Sequence, residues 1–199
     1  MVTGRGLSYV KYELVRTYAG VVADVTVNRK TGKIKVERFY VAHDCGQIIN
    51  PDGLKNQIEG NIVQTVSRAL IEDLQFSRST VTSIDWKTYP ILTFPDVPEV
   101  VIDPNDRPSE KPWGAGEPTA AVVPSAISNA VYDAIGVRLR SVPFTPDKVL
   151  AALGKAESGI LTDAGGVTRP ACFEQSAGRS GSSRPTGLGP SSDSRGIRS

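Results

Sequence analysis

The sequence is poor in residues that bind metals or staple small folds. Its 199 residues include two cysteines, Cys45 and Cys172, and one histidine, His43. Two cysteines this far apart make no metal-ligand spacing and no disulfide framework. With one imidazole, a zinc or haem site built by this chain alone is not expected. Charge of one sign is scarce too. The formal net charge of +2 is too small to argue for nucleic acid or an anionic membrane as partner. No apolar run approaches the length of a membrane span. The opening residues Met1 to Gly6 hold no apolar segment of the kind that directs secretion. Cytoplasm is therefore the default compartment. The periplasm is the alternative, since an export signal can sit on another segment or partner.

What is present reads as an ordinary globular chain. Hydrophobic residues make up 39% and charged residues 22%, the balance that lets a chain of this length bury one sizeable core. Val21, Ala23, Val25 and Val27 alternate with Val22, Asp24, Thr26 and Asn28. Ile34, Val36 and Tyr40 alternate with Lys33, Lys35, Glu37 and Phe39. A period of two predicts half-buried strands. The residues between them, Asn28 to Gly32, suit a short hairpin loop with glycine in the left-handed position. One more strand is expected within Leu7 to Tyr18.

Beyond His43 the pattern becomes helical. Asn50 is a good N-cap and Pro51 fits the first helical position. Leu54, Ile58, Ile62, Val66, Ala69 and Leu70 then recur at helical spacing, predicting an amphipathic helix to about Asp73. Beside that stripe lie Gln57, Asn61, Gln64 and Arg68. Amides both donate and accept, so they suit the edge of a flat heterocycle. A partly buried polar face bonded to neighbouring loops is the alternative.

Leu74 to Phe76 reads as a short strand and Glu99 to Asp103 as another. Trp86, Tyr89, Ile91, Leu92 and Phe94 between them are expected in the core. A second helix runs from about Pro124 to Ile135 and closes at Gly136. Val137 to Leu139 suits a final strand. Thr145 and Pro146 open a short helix through Leu153. The fold class is α+β: antiparallel strands with two main helices packed on the sheet. Residues 1–154 form the domain. Residues 155–199 form a low-complexity tail, and from Ser176 onward only Ala177, Leu188 and Ile197 are apolar. Such a segment cannot bury enough to offset backbone entropy and is expected to be disordered.

The chemistry is expected at Lys111-Pro112-Trp113-Gly114-Ala115-Gly116-Glu117-Pro118. Glycine admits positive φ and close approach of a ligand. Pro118 pushes Glu117 toward an extended backbone. A carboxylate held next to bare backbone suits a general base aimed at a bound ligand. A capping or surface-loop glutamate is the competing reading.

Three motifs stand in order: Asp44 to Pro51 with Asn56 to Gln64, then Gly114 to Pro118, then Asn129 to Leu139. Together they resemble the molybdenum-binding subunit of the xanthine dehydrogenase/aldehyde oxidase family, most nearly the isoquinoline 1-oxidoreductase type. The likeness covers about residues 4–153 and fits the C-terminal part of that subunit. It implies hydroxylation of an aldehyde or N-heteroaromatic carbon with oxygen from water. It implies a molybdenum–molybdopterin cofactor, in its simple or cytosine dinucleotide form, and electrons leaving through iron–sulfur clusters on a small partner subunit. The family's glutamate falls on Glu117, and a pterin-contacting glutamine falls on Gln57. Gln64 and Gly116 are further cofactor contacts by the same likeness. No protein ligand to the metal is implied.

The sequence departs from the family in two ways. Thr119 stands where a second proline is common. The family's subunit is several times longer, so a missing N-terminal part of the molybdenum subunit is an expected partner. The chain is then a fragment of a molybdenum hydroxylase, inactive by itself. The alternative is an inactive or structural fragment that folds only with a partner chain.

Overall fold

The computed structural model describes residues 1–14 and 16–162. Three long strands open the chain: β1 (Val2–Tyr12), β2 (Thr17–Val27) and β3 (Ile34–Asp44). They pair antiparallel in sequence order. The expected hairpin joins β2 to β3, with Gly32 at φ 76° and the Asn28 side chain accepting from Lys30 N at 3.0 Å.

One expectation about β3 is corrected. Simple alternation puts Tyr40 on the inner face and Phe39 on the outer, yet Phe39 is fully buried. The register explains it. Asp24 pairs with Arg38, but Val25 pairs with Val36, so Glu37 is an extra residue in a β-bulge. A bulge moves every later side chain to the opposite face. Without it Arg38 and Asp44 would point into the core. With it Phe39, Val41 and His43 point there instead.

Asn50 caps α1 (Pro51–Leu70), its side chain accepting from Gly53 N at 2.9 Å. Leu54, Ile58, Ile62, Val66 and Ala69 pack in one core with the inner faces of β2 and β3. The chain then returns as β4 (Glu99–Pro104), which lies parallel to β3. This qualifies the antiparallel expectation: a parallel neighbour requires a crossover, and α1 with the segment after it supplies one. Arg38 and Glu99, opposite each other, form an ion pair at 2.5 Å.

Helix α2 (Val123–Ile135) ends at Gly136 with φ 75°, as expected. It lies against β1 with almost no gap. A Cβ on Gly4 would stand 2.2 Å from Ala130 O, and one on Gly6 would stand 2.2 Å from Ala130 N and 2.3 Å from Ala126 O. Only glycine lets a helix backbone come so near a strand. The free edge of β1 is closed by the same helix: Asp133 accepts from Arg5 N at 2.9 Å and Asn129 donates to Leu7 O at 2.8 Å. Edge groups left unpaired would invite another chain.

Other expectations need revision. Val137 to Leu139 forms no strand. Val137 and Leu139 are buried in the core, and Leu139 O accepts from Ser128 at 2.8 Å. Leu74 to Phe76 contributes only an isolated bridge, Phe76 with Val81. The final helix α3 (Pro146–Thr162) runs past Leu153 into the segment assigned to the tail. The rest of that segment, with its expected disorder, lies outside the described residues. Trp86 and Phe94 are not core: Phe94 is 96% exposed and Trp86 75%. No helix among the described residues is long and apolar enough to cross a membrane.

Candidate functional site

The glycine turn is held from below by the loop that ends β3. Asp44 is its hub. Its carboxylate accepts from Gly46 N at 3.0 Å, Arg107 Nε at 3.0 Å and Asn105 Nδ2 at 3.1 Å. Partial burial alone would raise the Asp44 carboxyl. The Gly46 amide and the Arg107 and Asn105 side chains outweigh it and hold the carboxyl below its usual range. Gly46 has φ 77°, and a Cβ there would stand 2.1 Å from Lys111 O. Trp113 N donates to Cys45 O at 2.8 Å. Cys45 itself is buried, and that burial pushes its thiol up, so it is a packing residue and not a nucleophile. The Asp44-Cys45-Gly46 motif thus fixes residues 105–113, which deliver the turn.

The turn is also held from the side. Thr17, buried at the start of β2, donates its hydroxyl to Gly114 O at 2.9 Å. The Tyr12 phenol, at the end of β1, donates to Glu117 Oε2. Glu117 O accepts from Ala121 N at 3.3 Å, leading into the 3-10 turn Ala120–Val122 and then α2. Glu117 itself is exposed. With Tyr12, Glu13, Arg16, Thr17, Gly114, Gly116 and Pro118 it lines a small cavity of about 220 Å³.

For Gly114 and Gly116 the sequence predicts either a positive φ or a close approach. Neither has positive φ. A Cβ on Gly114 would meet nothing within 4 Å, and one on Gly116 would meet only Gln57 Oε1, at 3.9 Å. The fold would tolerate side chains at both positions. Their bareness leaves backbone open to something else.

Gln57 therefore comes to the turn at Gly116, outside the set of residues that line the Glu117 cavity. The rest of the amide stripe does not share its environment. Asn61 is buried and donates back to Gln57 O at 2.8 Å. Gln64 lies about 10 Å farther along the helix axis, and its side-chain oxygen accepts from Arg68 at 2.8 Å. Of the three amides in the stripe, only the exposed Gln57 makes no side-chain hydrogen bond among the described residues. Thr119, at the departure from the family pattern, is buried with its hydroxyl unpartnered there, as a site shaped for an apolar proline would leave it.

Tyr12, Arg16, Thr17 and the Asp44–Arg107 pair escape a reading of the sequence. A tyrosine or arginine near a strand end carries no motif. The Gly4-Arg5-Gly6 spacing is the one available signal, since two glycines on one face of a strand mark close backbone approach.

Among the described residues no group of three or more His, Cys, Asp or Glu can hold a metal ion. An exposed amide and bare glycine backbone suit the edge of a planar heterocycle.

Comparison with known proteins gives the chain's relatives. Residues 4–98 match the model of a molybdopterin cofactor-binding domain. The chain is 42% identical over 162 residues to one of the subunits of nicotinate dehydrogenase from Pseudomonas putida, covering 78% of this chain and 14% of that protein. It is 30% identical over 141 residues to the beta chain of isoquinoline 1-oxidoreductase from Brevundimonas diminuta, covering 71% and 18%. Its fold resembles the crystal structure of quinoline 2-oxidoreductase from Pseudomonas putida 86 with a TM-score of 0.65 and 28% identity, covering 70% of this chain and 19% of that one. The chain thus spans less than a fifth of each of these relatives. Residues 4–98 thus carry a molybdopterin cofactor-binding domain, and the chain is similar to molybdenum-binding subunits of the xanthine dehydrogenase/aldehyde oxidase type.

Proposed function

We propose that the chain is the base-bearing part of a molybdenum hydroxylase that oxidises an aldehyde or N-heteroaromatic carbon with oxygen from water. One observation carries this reading: Gln57 Oε1 faces the bare backbone of Gly116, next to the exposed carboxylate of Glu117. When bound, molybdenum–molybdopterin, simple or as the cytosine dinucleotide, supplies the redox chemistry. Gln57 and Gly116 hold its pterin edge: the amide bonds to ring heteroatoms and the glycine lets them approach. Gln64 is a weaker contact, its side-chain oxygen already accepting from Arg68. Glu117 accepts a proton at its free carboxylate oxygen. General-base assistance of this kind is worth about 10²–10⁴-fold, or roughly 3–5 kcal/mol of barrier.

The chain's surface supports the need for partners. Phe76, Ile84, Trp86 and Phe94 project into solvent from the segment between α1 and β4, while the outer sheet face is laced by ion pairs such as Arg5–Asp24 and Arg38–Glu99. Large exposed apolar side chains gathered on one segment mark a contact surface. The partner we assign is the missing N-terminal part of the molybdenum subunit, and an iron–sulfur small subunit takes the electrons. The same surface equally suits an inactive or structural fragment that folds only with a partner chain. Co-expression with those partners separates the two. The enzyme reading expects molybdopterin in the assembly and dye reduction that Glu117→Ala lowers by about 10²–10⁴-fold. Full turnover by Glu117→Ala, or an assembly without molybdopterin, sinks it.

A further inference from the structure

We propose that Tyr12 is a positioning residue for Glu117: its phenol O–H holds one carboxylate oxygen, Oε2, and leaves the other to receive the proton. The inference rests on the role of Glu117 proposed above and deepens it.

The geometry is specific. Tyr12 is the last residue of β1, and 105 positions separate it from Glu117. Its backbone is paired across the hairpin with Thr17. Thr17 in turn holds Gly114 O at 2.9 Å. The strand end and the glycine turn are therefore tied twice, once through each residue of one strand pair. A base on a flexible three-torsion side chain gains most from such a tie, because an oriented group need not be ordered again at each turnover.

The charges around the pair leave the phenol as the donor. Glu13 and Arg16 line the same cavity, but they pair with each other at 2.5 Å, and the Arg16 guanidinium lies over the Trp113 ring at 5.7 Å. Neither ion is therefore committed to Glu117. The Glu117 carboxylate in turn pushes the Tyr12 phenol above its ordinary value, with lesser help from burial and from the Glu13 charge. Tyr12 thus stays protonated across the working range and remains a donor.

A hydrogen bond from Tyr12 fixes the direction of the carboxylate, and removing it frees the Glu117 side chain to turn. The test is Tyr12→Phe in the co-expressed molybdenum enzyme, with Glu117→Ala beside it. We expect kcat to fall about tenfold or more and KM to change little. An unchanged kcat in Tyr12→Phe, with Glu117→Ala inactive, overturns the inference and spares the function. A faster Tyr12→Phe enzyme also overturns it, since the contact would then be inhibitory. An active Glu117→Ala enzyme removes the function itself. A second readout needs no cofactor. In the purified 199-residue chain, ultraviolet titration should show one tyrosine ionising at lower pH after Glu117→Gln, a change absent on the Tyr12→Phe background. If Glu117→Gln leaves every tyrosine where it was, the bond does not exist in solution.

Discussion

Gly116 has one neighbour where a Cβ would grow, the side-chain oxygen of Gln57 at 3.9 Å. That distance is ordinary contact, and the backbone there is not left-handed. Gly116→Ala should therefore leave the apo chain as stable as before, or raise it by about 0.4–1 kcal/mol by restricting the unfolded state. Molybdopterin content of the assembled enzyme should fall. Urea denaturation and cofactor analysis of the same variant read both. A clear loss of stability would mean that the glycine serves the fold.

Gly6 makes the opposite case. Its Cβ would stand 2.2 and 2.3 Å from backbone atoms of α2, and backbone cannot swing aside as a side chain can. Gly6→Ala should cost at least the upper part of the roughly 1–3 kcal/mol typical of overpacking. A lower denaturation midpoint, with loss of the Asn129–Leu7 and Asp133–Arg5 bonds seen by amide exchange, is the expected result. A midpoint within error of the parent would refute the close packing.

His43 gives the fold an acid sensitivity. It is buried, and that burial lowers its pKa below 6.5, opposed only in part by the Asp44 charge. The native ring stays neutral while the unfolded ring protonates near pH 6.5. Below that value the unfolded state binds the extra proton, so stability falls as pH drops from about 6.5 toward the native pKa. His43→Leu should flatten this slope. Asp44 acts in a separate window: its native carboxyl is held below 3.8, so its contribution is present above that value and is lost only as pH falls through the lower native one. Stability curves at a series of pH values distinguish the two. A slope near pH 6 that persists in His43→Leu would assign it elsewhere.

The exposed segment before β4 should behave as surface in isolation and as interface in the assembly. Trp86→Asp with Phe94→Asp should change the stability of the lone chain by no more than about 0.5 kcal/mol. Co-purification with the rest of the molybdenum subunit should be lost. If the double variant assembles normally, the contact lies on another face. If the double variant instead loses a self-association that the parent chain shows, the segment covers a second copy.

Much of this fold is written locally. The β2–β3 hairpin follows from a period of two and from Asn28 to Gly32. Helix α1 follows from Asn50-Pro51, and the end of α2 from Gly136. Features that depend on distant partners are hidden. Nothing near Glu37 says that β3 must carry an extra residue, because the demand comes from keeping Arg38 and Asp44 out of the core. Nothing in Glu99 to Pro104 says which strand it joins or in which direction. The candidate site divides the same way. Glu117 stands out because its glycines and proline are contiguous with it. Gln57 emerges through family likeness. Tyr12, contributed by the far end of the chain, leaves no local trace.

The closure of β1 under α2 has a consequence for synthesis. Strand β1 is sealed by a helix made some 120 residues later, as the bond between Arg5 and Asp133, 128 positions apart, records. Until then the inner side of the nascent hairpin, with Val21, Ala23 and Val25, lacks the cover that α2 adds to that of α1, and contacts of such long range form late. A chain cut before Val123 is therefore expected to leave apolar sheet surface open and to be prone to aggregate.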